Sequence, residues 1–324
     1  MKKKPTKDFA VDEGAKESPS LIYYQMAGKK RRAHGTWYRG ESTNFHPMRD
    51  SLAEPDAVAK YVGAGWFPKD AFIDKNSYIT AFGSCFAQEV TKYLKQNGYR
   101  VFGDDLNLEA NIIRSGEGIV NSAAMLQQFQ WAFELKRFGD DIWHLEDGEE
   151  ASSSEEARMN IRRIFDKTDV FVFTLGLSEV WYDKEDGEVF WRAVPNRLFD
   201  EKRHGFKVMS VEENRSNLIE LFKIIRKFRP EATVIFTLSP VPLAATFRPV
   251  SCITANSVSK ASLRVAIDEV MREFATDANL FYFPSYEIVT SYLDDAMGVD
   301  LRHPRPETVD LIMQAFQNAF LIDG

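Results

Sequence analysis

Two cysteines, Cys85 and Cys252, are all that the 324 residues contain. That excludes a disulfide framework. One bridge at most could form, and reduced thiols in a cytoplasmic setting are the expectation. No apolar run approaches the ~20 residues of a membrane span. Residues 1–4 are basic like the start of a leader, but "PTKDFAVDEGAKESPS" behind them has no apolar stretch, so no secretory signal is expected. An excess of positive charge is missing too: 41 Lys and Arg stand against 48 Asp and Glu, a net charge of -7. Phosphate backbones need a basic surface, so nucleic acid is not expected as a main partner. The short basic runs at 2–4 and 29–32 read as solvated surface. No His, Cys, Asp or Glu cluster has metal-ligand spacing, and no glycine-rich phosphate loop occurs, so neither metal nor cofactor is expected. There are no internal repeats.

What is there is a chain with 44% hydrophobic residues, ample for a sizeable core. Residues 1–20 are charged with few large apolar side chains and read as a disordered tail. Residues 21–74 carry aromatics without sustained periodicity, and read as an N-terminal arm packed on a main domain of residues 75–324. In that domain the pattern becomes regular. "SYITAF" and "YRVF" are short β-rich runs around a helical stretch that ends at Asn97-Gly98. "DVFVFTLGL" is continuously apolar, as in a strand buried on both faces. "EVWYDKEDGEVFWRAV" predicts a hairpin around Asp186-Gly187. Ser210 and Glu213 form a capping-box pattern before an amphipathic helix. "TVIFTLSP" and "NLFYFPS" are further strands, and Val309, Ile312, Met313, Phe316 and Phe320 share one face of a last helix. This alternation predicts a three-layer α/β/α sandwich around a mostly parallel sheet.

In an open α/β sheet, ligands bind beyond the carboxyl ends of the strands. Four segments sit there: Gly83-Ser84-Cys85, "TLGLSE" at 174–179, "LSPVPL" at 238–243 and "DLRHP" at 300–304. Ser84 falls where a strand gives way to a helix, whose free N–H groups suit an oxyanion. It could act as a nucleophile or merely cap the helix. A serine needs a base. Of the five histidines, His303 follows the last predicted strand, with Asp300 three residues before it and Pro304 and a helix after it, and on a turn that spacing lets Asp300 hold one ring nitrogen while the other faces a nucleophile. Lys260 and Arg264, one helical turn apart, read equally as an anion site or a solvated face. Trp181 and Tyr182 read as hydrophobic cover for the crevice, with stacking on a sugar ring as the alternative.

"GSCFA" at 83–87 is the signature of the GSCFA family, and "TLGLSEVW", "LSPVPLAATF" and "SKASLR" resemble its further motifs. That family resembles a branch of the SGNH/GDSL hydrolases. The resemblance implies a flavodoxin-like, five-stranded parallel sheet. It also implies a Ser84–His303–Asp300 triad in a serine esterase or acyltransferase that acts on an O-acyl, typically O-acetyl, group of a carbohydrate, with a small-molecule or glycan ester as substrate. The expected oxyanion and substrate residues are Gly176, Ser178 where that superfamily carries asparagine, Gly116 and Asn121. Glu179 adds a negative charge suited to a base or an orienting role. Two rival readings stand beside this one. A thiolate at Cys85 could be the nucleophile, since a helix start lowers thiol pKa. Alternatively, the domain could bind a glycan or other ligand without catalysis.

Overall fold

The computed structural model describes residues 21–40, 43–83, 85–102, 119–139 and 154–322. The tail at 1–20, Ser84, Gly116 and the side chain of Cys85 lie outside the described residues. The chain divides at Ala64/Gly65 into two compact units, so residues 65–74 belong with the larger one.

The smaller unit holds an antiparallel hairpin of β1 (Leu21–Met26) and β2 (Lys29–His34). Its two turn residues, Ala27 and Gly28, both have positive φ, as a tight primed turn requires. Lys29 and Arg31 on β2 close onto Asp50. Those two cations hold the Asp50 carboxyl down at about 2. The basic run at 29–32 is therefore a strand, and part of its charge is spent inside its own unit.

The larger unit is built on a parallel sheet of β3 (Tyr78–Gly83), β4 (Arg100–Val101), β5 (Val170–Leu175), β8 (Thr233–Leu238) and β9 (Leu280–Tyr282). Their spatial order is β4-β3-β5-β8-β9. Counted among the sheet strands alone this is the 2-1-3-4-5 order of flavodoxin-like folds, and it reverses between β3 and β5. Every residue of β5 and β8 is buried. Phe171, Phe173 and Leu175 of β5, with Val234, Phe236 and Leu238 of β8, join one core that includes Phe129, Phe165, Leu221 and Ile267. The strand period of two sends Val170, Val172 and Ile235 to the other face.

The helices form two layers. One contains α2 (Ser122–Glu134), α3 (Glu155–Lys167), α4 (Val211–Phe228) and α5 (Cys252–Glu273), packed against each other. The other pairs α1 (Cys85–Gln96) with α6 (Pro306–Phe320), where Tyr93 donates to Gln317. The predicted stops and caps hold. Gly98 turns at positive φ after α1, and Ser210 with Glu213 forms a complete capping box on α4. Among the described residues no helix is long and apolar enough to cross a membrane.

The hairpin expected around Asp186-Gly187 is only partly formed. The turn is there, with Gly187 N–H donating to the Asp183 carbonyl. The returning chain makes one bridge, Tyr182 to Val189. The regular antiparallel partner of β6 (Glu179–Asp183) is β7 (His204–Val208), twenty residues on. Phe190 and Trp191 are instead drawn into the main core, which breaks the ladder.

Candidate active site

The exit of β3 towards α1 is defined by Gly83. Its φ of +123° is one that L side chains rarely adopt, and a Cβ there would lie 2.0 Å from the Thr174 carbonyl oxygen and 2.2 Å from its hydroxyl. Only glycine lets β3 run this close to β5 and still turn into α1. The Thr174 hydroxyl in turn donates to the Phe82 carbonyl at 2.8 Å. Gly83 thus ends β3 at its carboxyl end, beside the point where the strand order reverses.

Asp300 and His303 are brought together as the spacing predicts. His303 Nδ1 lies 2.6 Å from Asp300 Oδ2. Asp300 Oδ1 accepts from the backbone N–H groups of Arg302 and His303, each at 3.0 Å. These two backbone bonds, with the imidazole, hold the Asp300 carboxyl well below the usual carboxylate range. The loop that presents the pair is tied down from outside it. Gly298 N–H donates to the His303 carbonyl at 2.8 Å, Arg305 N–H to Ala296 at 2.9 Å, and the Thr308 hydroxyl to Ala296 at 2.9 Å. Leu301 sits at φ +53°, an uncommon conformation for a non-glycine residue. With Nδ1 engaged, the imidazole keeps Nε2 for other work, and among the described residues nothing occupies it. About half of the side chain is exposed.

The expected oxyanion donors fare differently from one another. Gly176 N–H is spent on the Val120 carbonyl at 2.7 Å. Ser178 is fully buried, its N–H donating to Ser259 Oγ at 2.7 Å and its hydroxyl to the Ser259 carbonyl at 3.0 Å. Neither is free to meet a substrate oxygen, so the expectation for both is corrected to a scaffolding role. Asn121 differs in keeping donors unspent. Its Oδ1 caps α2 by accepting from Ala124 N–H at 2.8 Å, which fixes the amide plane, and its Nδ2 has no partner among the described residues. Gly176 contributes by anchoring Val120, the residue before Asn121. Glu179 is buried at the start of β6, where the Thr246 hydroxyl reaches both carboxylate oxygens at 2.8 and 2.9 Å. It neither bonds nor pairs with Asp300 or His303. The Tyr182 ring covers Gly205 and packs on the Val180–Val189 cluster, as hydrophobic cover.

The lysine that sequence reading left undecided is neither a surface charge nor an anion site. Lys260 is buried, and its Nζ donates to the carbonyls of Gly176, Ser239 and Val241 at 2.7, 2.8 and 2.7 Å. Three N–H groups meet three acceptors, binding the carboxyl ends of β5 and β8 to α5. Burial pushes the ammonium down to about 7. The carbonyls oppose that shift, since a neutral amine has only two N–H for three acceptors. Arg264 is likewise committed, to Glu287 at 2.6 Å and over the Tyr282 ring at 4.4 Å. The signal for Lys260 was its helical phase. It shares a stripe with the buried Leu263, Ile267 and Val270.

Lys260→Met strands three buried carbonyls and is expected to lower stability by about 3 kcal/mol, at about 1 kcal/mol for each lost partner. For a domain of this size that is a fall in Tm on the order of 10 °C. Calorimetry checks it, and a variant as stable as the wild type would refute the clamp.

Residues 78–316 match the model of the GSCFA family, and the chain belongs to that family. No curated protein matches the chain. Among solved structures it is similar to a carbohydrate esterase family 3 protein from Talaromyces cellulolyticus, at 11% identity over 74% of this chain and 94% of that one, with a TM-score of 0.36. A putative GDSL-like lipase from Parabacteroides merdae is similar at 9% identity, over 77% of this chain and 98% of that one, with a TM-score of 0.37. A family 3 carbohydrate esterase from Clostridium thermocellum is similar at 11% identity, over 75% and 94%, with a TM-score of 0.34.

Proposed function

We propose that the protein is an SGNH-type serine hydrolase or acyltransferase acting on an O-acyl ester. The observation that carries this reading is the Asp300–His303 pair. A carboxylate fixed by two backbone N–H groups locks one imidazole nitrogen and leaves the other open. That is what a general base for a serine needs. Ser84, on the glycine-permitted turn after β3, is the serine it serves. Its Oγ attacks the acyl carbon while His303 Nε2 takes the hydroxyl proton. The oxyanion is met by Ser84 N–H and Asn121 Nδ2. His303 then returns the proton to the leaving alcohol oxygen, giving the acyl-serine. Water, or a second hydroxyl, attacks that ester through the same base and releases the acid or the transferred ester.

An O-acetylated carbohydrate is the substrate we favour. Its support is an aromatic edge in which the Trp181 ring meets Phe199, Phe206 and Phe247 at 5.4, 5.2 and 4.9 Å. Phe247 is 61% exposed, an open apolar face of the kind that a sugar ring can cover.

Assay of 4-nitrophenyl acetate and of acetylated oligosaccharides, with Ser84→Ala as control, tests the reading. Hydrolysis by the wild type and none by the variant is expected, and equal rates would overturn it. Asp300→Asn keeps an oxygen for both backbone N–H groups but loses the charge that orients and stabilises the imidazole. It is expected to stay folded, by circular dichroism, while kcat/KM falls about 10³-fold.

A further inference from the structure

Asn121 is held in place from both sides. Before it, the Val120 carbonyl accepts from the N–H groups of Gly176 and Leu177 at 2.7 and 3.3 Å. Gly176 lies two residues past Thr174 of β5, which pairs with Gly83 of β3. Asn121 is therefore tied to the carboxyl end of the strand that flanks Gly83. After it comes Ser122, the first residue of α2 and fully buried. The Ser122 hydroxyl donates to Asn214 Oδ1 at 2.8 Å and accepts from Asn217 Nδ2 at 3.2 Å.

Asn214 is also fully buried, in the first turn of α4. Its Nδ2 donates to the carbonyls of Ser210 and Met209 at 2.8 and 3.3 Å. Carbonyls only accept, so the Asn214 amide cannot turn over, and its Oδ1 is left to face Ser122. The capping box of Ser210 and Glu213 fixes the same turn. Apolar side chains could join α2 to α4 without the cost of matching each buried polar group with a partner. What a fully satisfied polar network adds is a single geometry. That geometry reaches Asn121. Its Oδ1 accepts from Ala124 N–H, so its amide moves with the first turn of α2 as one body. Asn121 is only 4% exposed, and its Nδ2 meets no acceptor among the described residues. A donor for a developing oxyanion has to be aimed before the reaction, to within about 0.5 Å.

We propose that Asn214, acting through the Ser122 hydroxyl, is a positioning residue that aims Asn121 Nδ2 at the oxyanion formed when Ser84 attacks the ester. The inference rests on the hydrolase reading above, and it places part of the catalytic geometry in α4, outside the family's signature motif.

A double-mutant cycle on 4-nitrophenyl acetate hydrolysis tests it, with Asn121→Ala, Ser122→Ala and the two combined. Ser122→Ala removes one hydroxyl and keeps a good helix former, so it should fold, and Tm is measured for each variant. In the wild-type background it should lower kcat about tenfold and leave KM within about twofold, since the aim matters to the transition state. In the Asn121→Ala background it should lower kcat by less than about twofold, because no amide is left to aim. An equal loss in both backgrounds overturns the proposal, for the Ser122–Asn214 bond would then support the structure alone. So does an unchanged kcat in Ser122→Ala. A second readout needs no turnover. The Asn121 side-chain NH2 signals, assigned by their loss in Asn121→Ala, are followed by NMR. Their ¹H–¹⁵N NOE should fall in Ser122→Ala and in Asn214→Ser, and an unchanged NOE in both overturns the proposal. If the wild type hydrolyses no ester, the hydrolase reading is what fails, and the NOE still decides whether Asn214 holds Asn121. If the wild type is active and Asn121→Ala is equally fast, Asn121 is not the donor. The proposal then falls while the roles of Ser84 and His303 stand.

Discussion

His303→Ala is expected to lower kcat/KM for an activated acetyl ester by about 10⁴-fold or more, leaving the fold in place. A factor of 10⁴ corresponds to about 5 kcal/mol of transition-state stabilisation. The loss is chemical because the side chain supports little else. About half of it is exposed, and its one bond is to Asp300. The loop is held by backbone bonds from Gly298, Leu301 and Arg305, none of which involves the imidazole. Circular dichroism and Tm should therefore stay close to wild type while activity vanishes. A variant that keeps a tenth of the activity would mean that His303 is not the base.

Gly83→Ala is expected to act in the opposite way, on folding first. The new Cβ would stand 2.0 Å from the Thr174 carbonyl oxygen, a backbone atom that cannot turn aside, and φ at +123° is strained for alanine. Both the β3–β5 ladder and the entry to α1 would have to move. The expected loss is about 4 kcal/mol or more, at the upper end of single-substitution effects. Urea unfolding of the soluble fraction measures it. A Gly83→Ala protein with wild-type stability would contradict the close approach of β3 and β5 at Gly83.

The layers of this fold were legible because they rest on local signals. The apolar runs at 170–175 and 233–238, the capping box at Ser210 and Glu213, and the Asn97-Gly98 stop each declare themselves within a few residues. So does the Asp300–His303 pair, whose members are three apart. What escaped depends on partners distant in sequence. Ser178 bonds to Ser259 and Gly176 to Lys260, 81 and 84 residues away, so these motifs read as separate chemistry when they are parts of one clamp. The β6–β7 pairing was missed because "HGFKV" has little strand character, and a nearer segment with a turn signal competed for β6. The β1–β2 hairpin was hidden by its basic composition, although Ala27-Gly28 marked the turn.

The proposed function rests on one claim, that Ser84 is made nucleophilic by His303. The most direct test is labelling of the folded protein with a fluorophosphonate, read by intact mass and peptide mapping, on wild type, Ser84→Ala, Cys85→Ala and His303→Ala. A single adduct on Ser84 that survives Cys85→Ala and disappears with His303→Ala is the predicted result. No adduct on the folded wild type, or one that maps elsewhere, would contradict the claim.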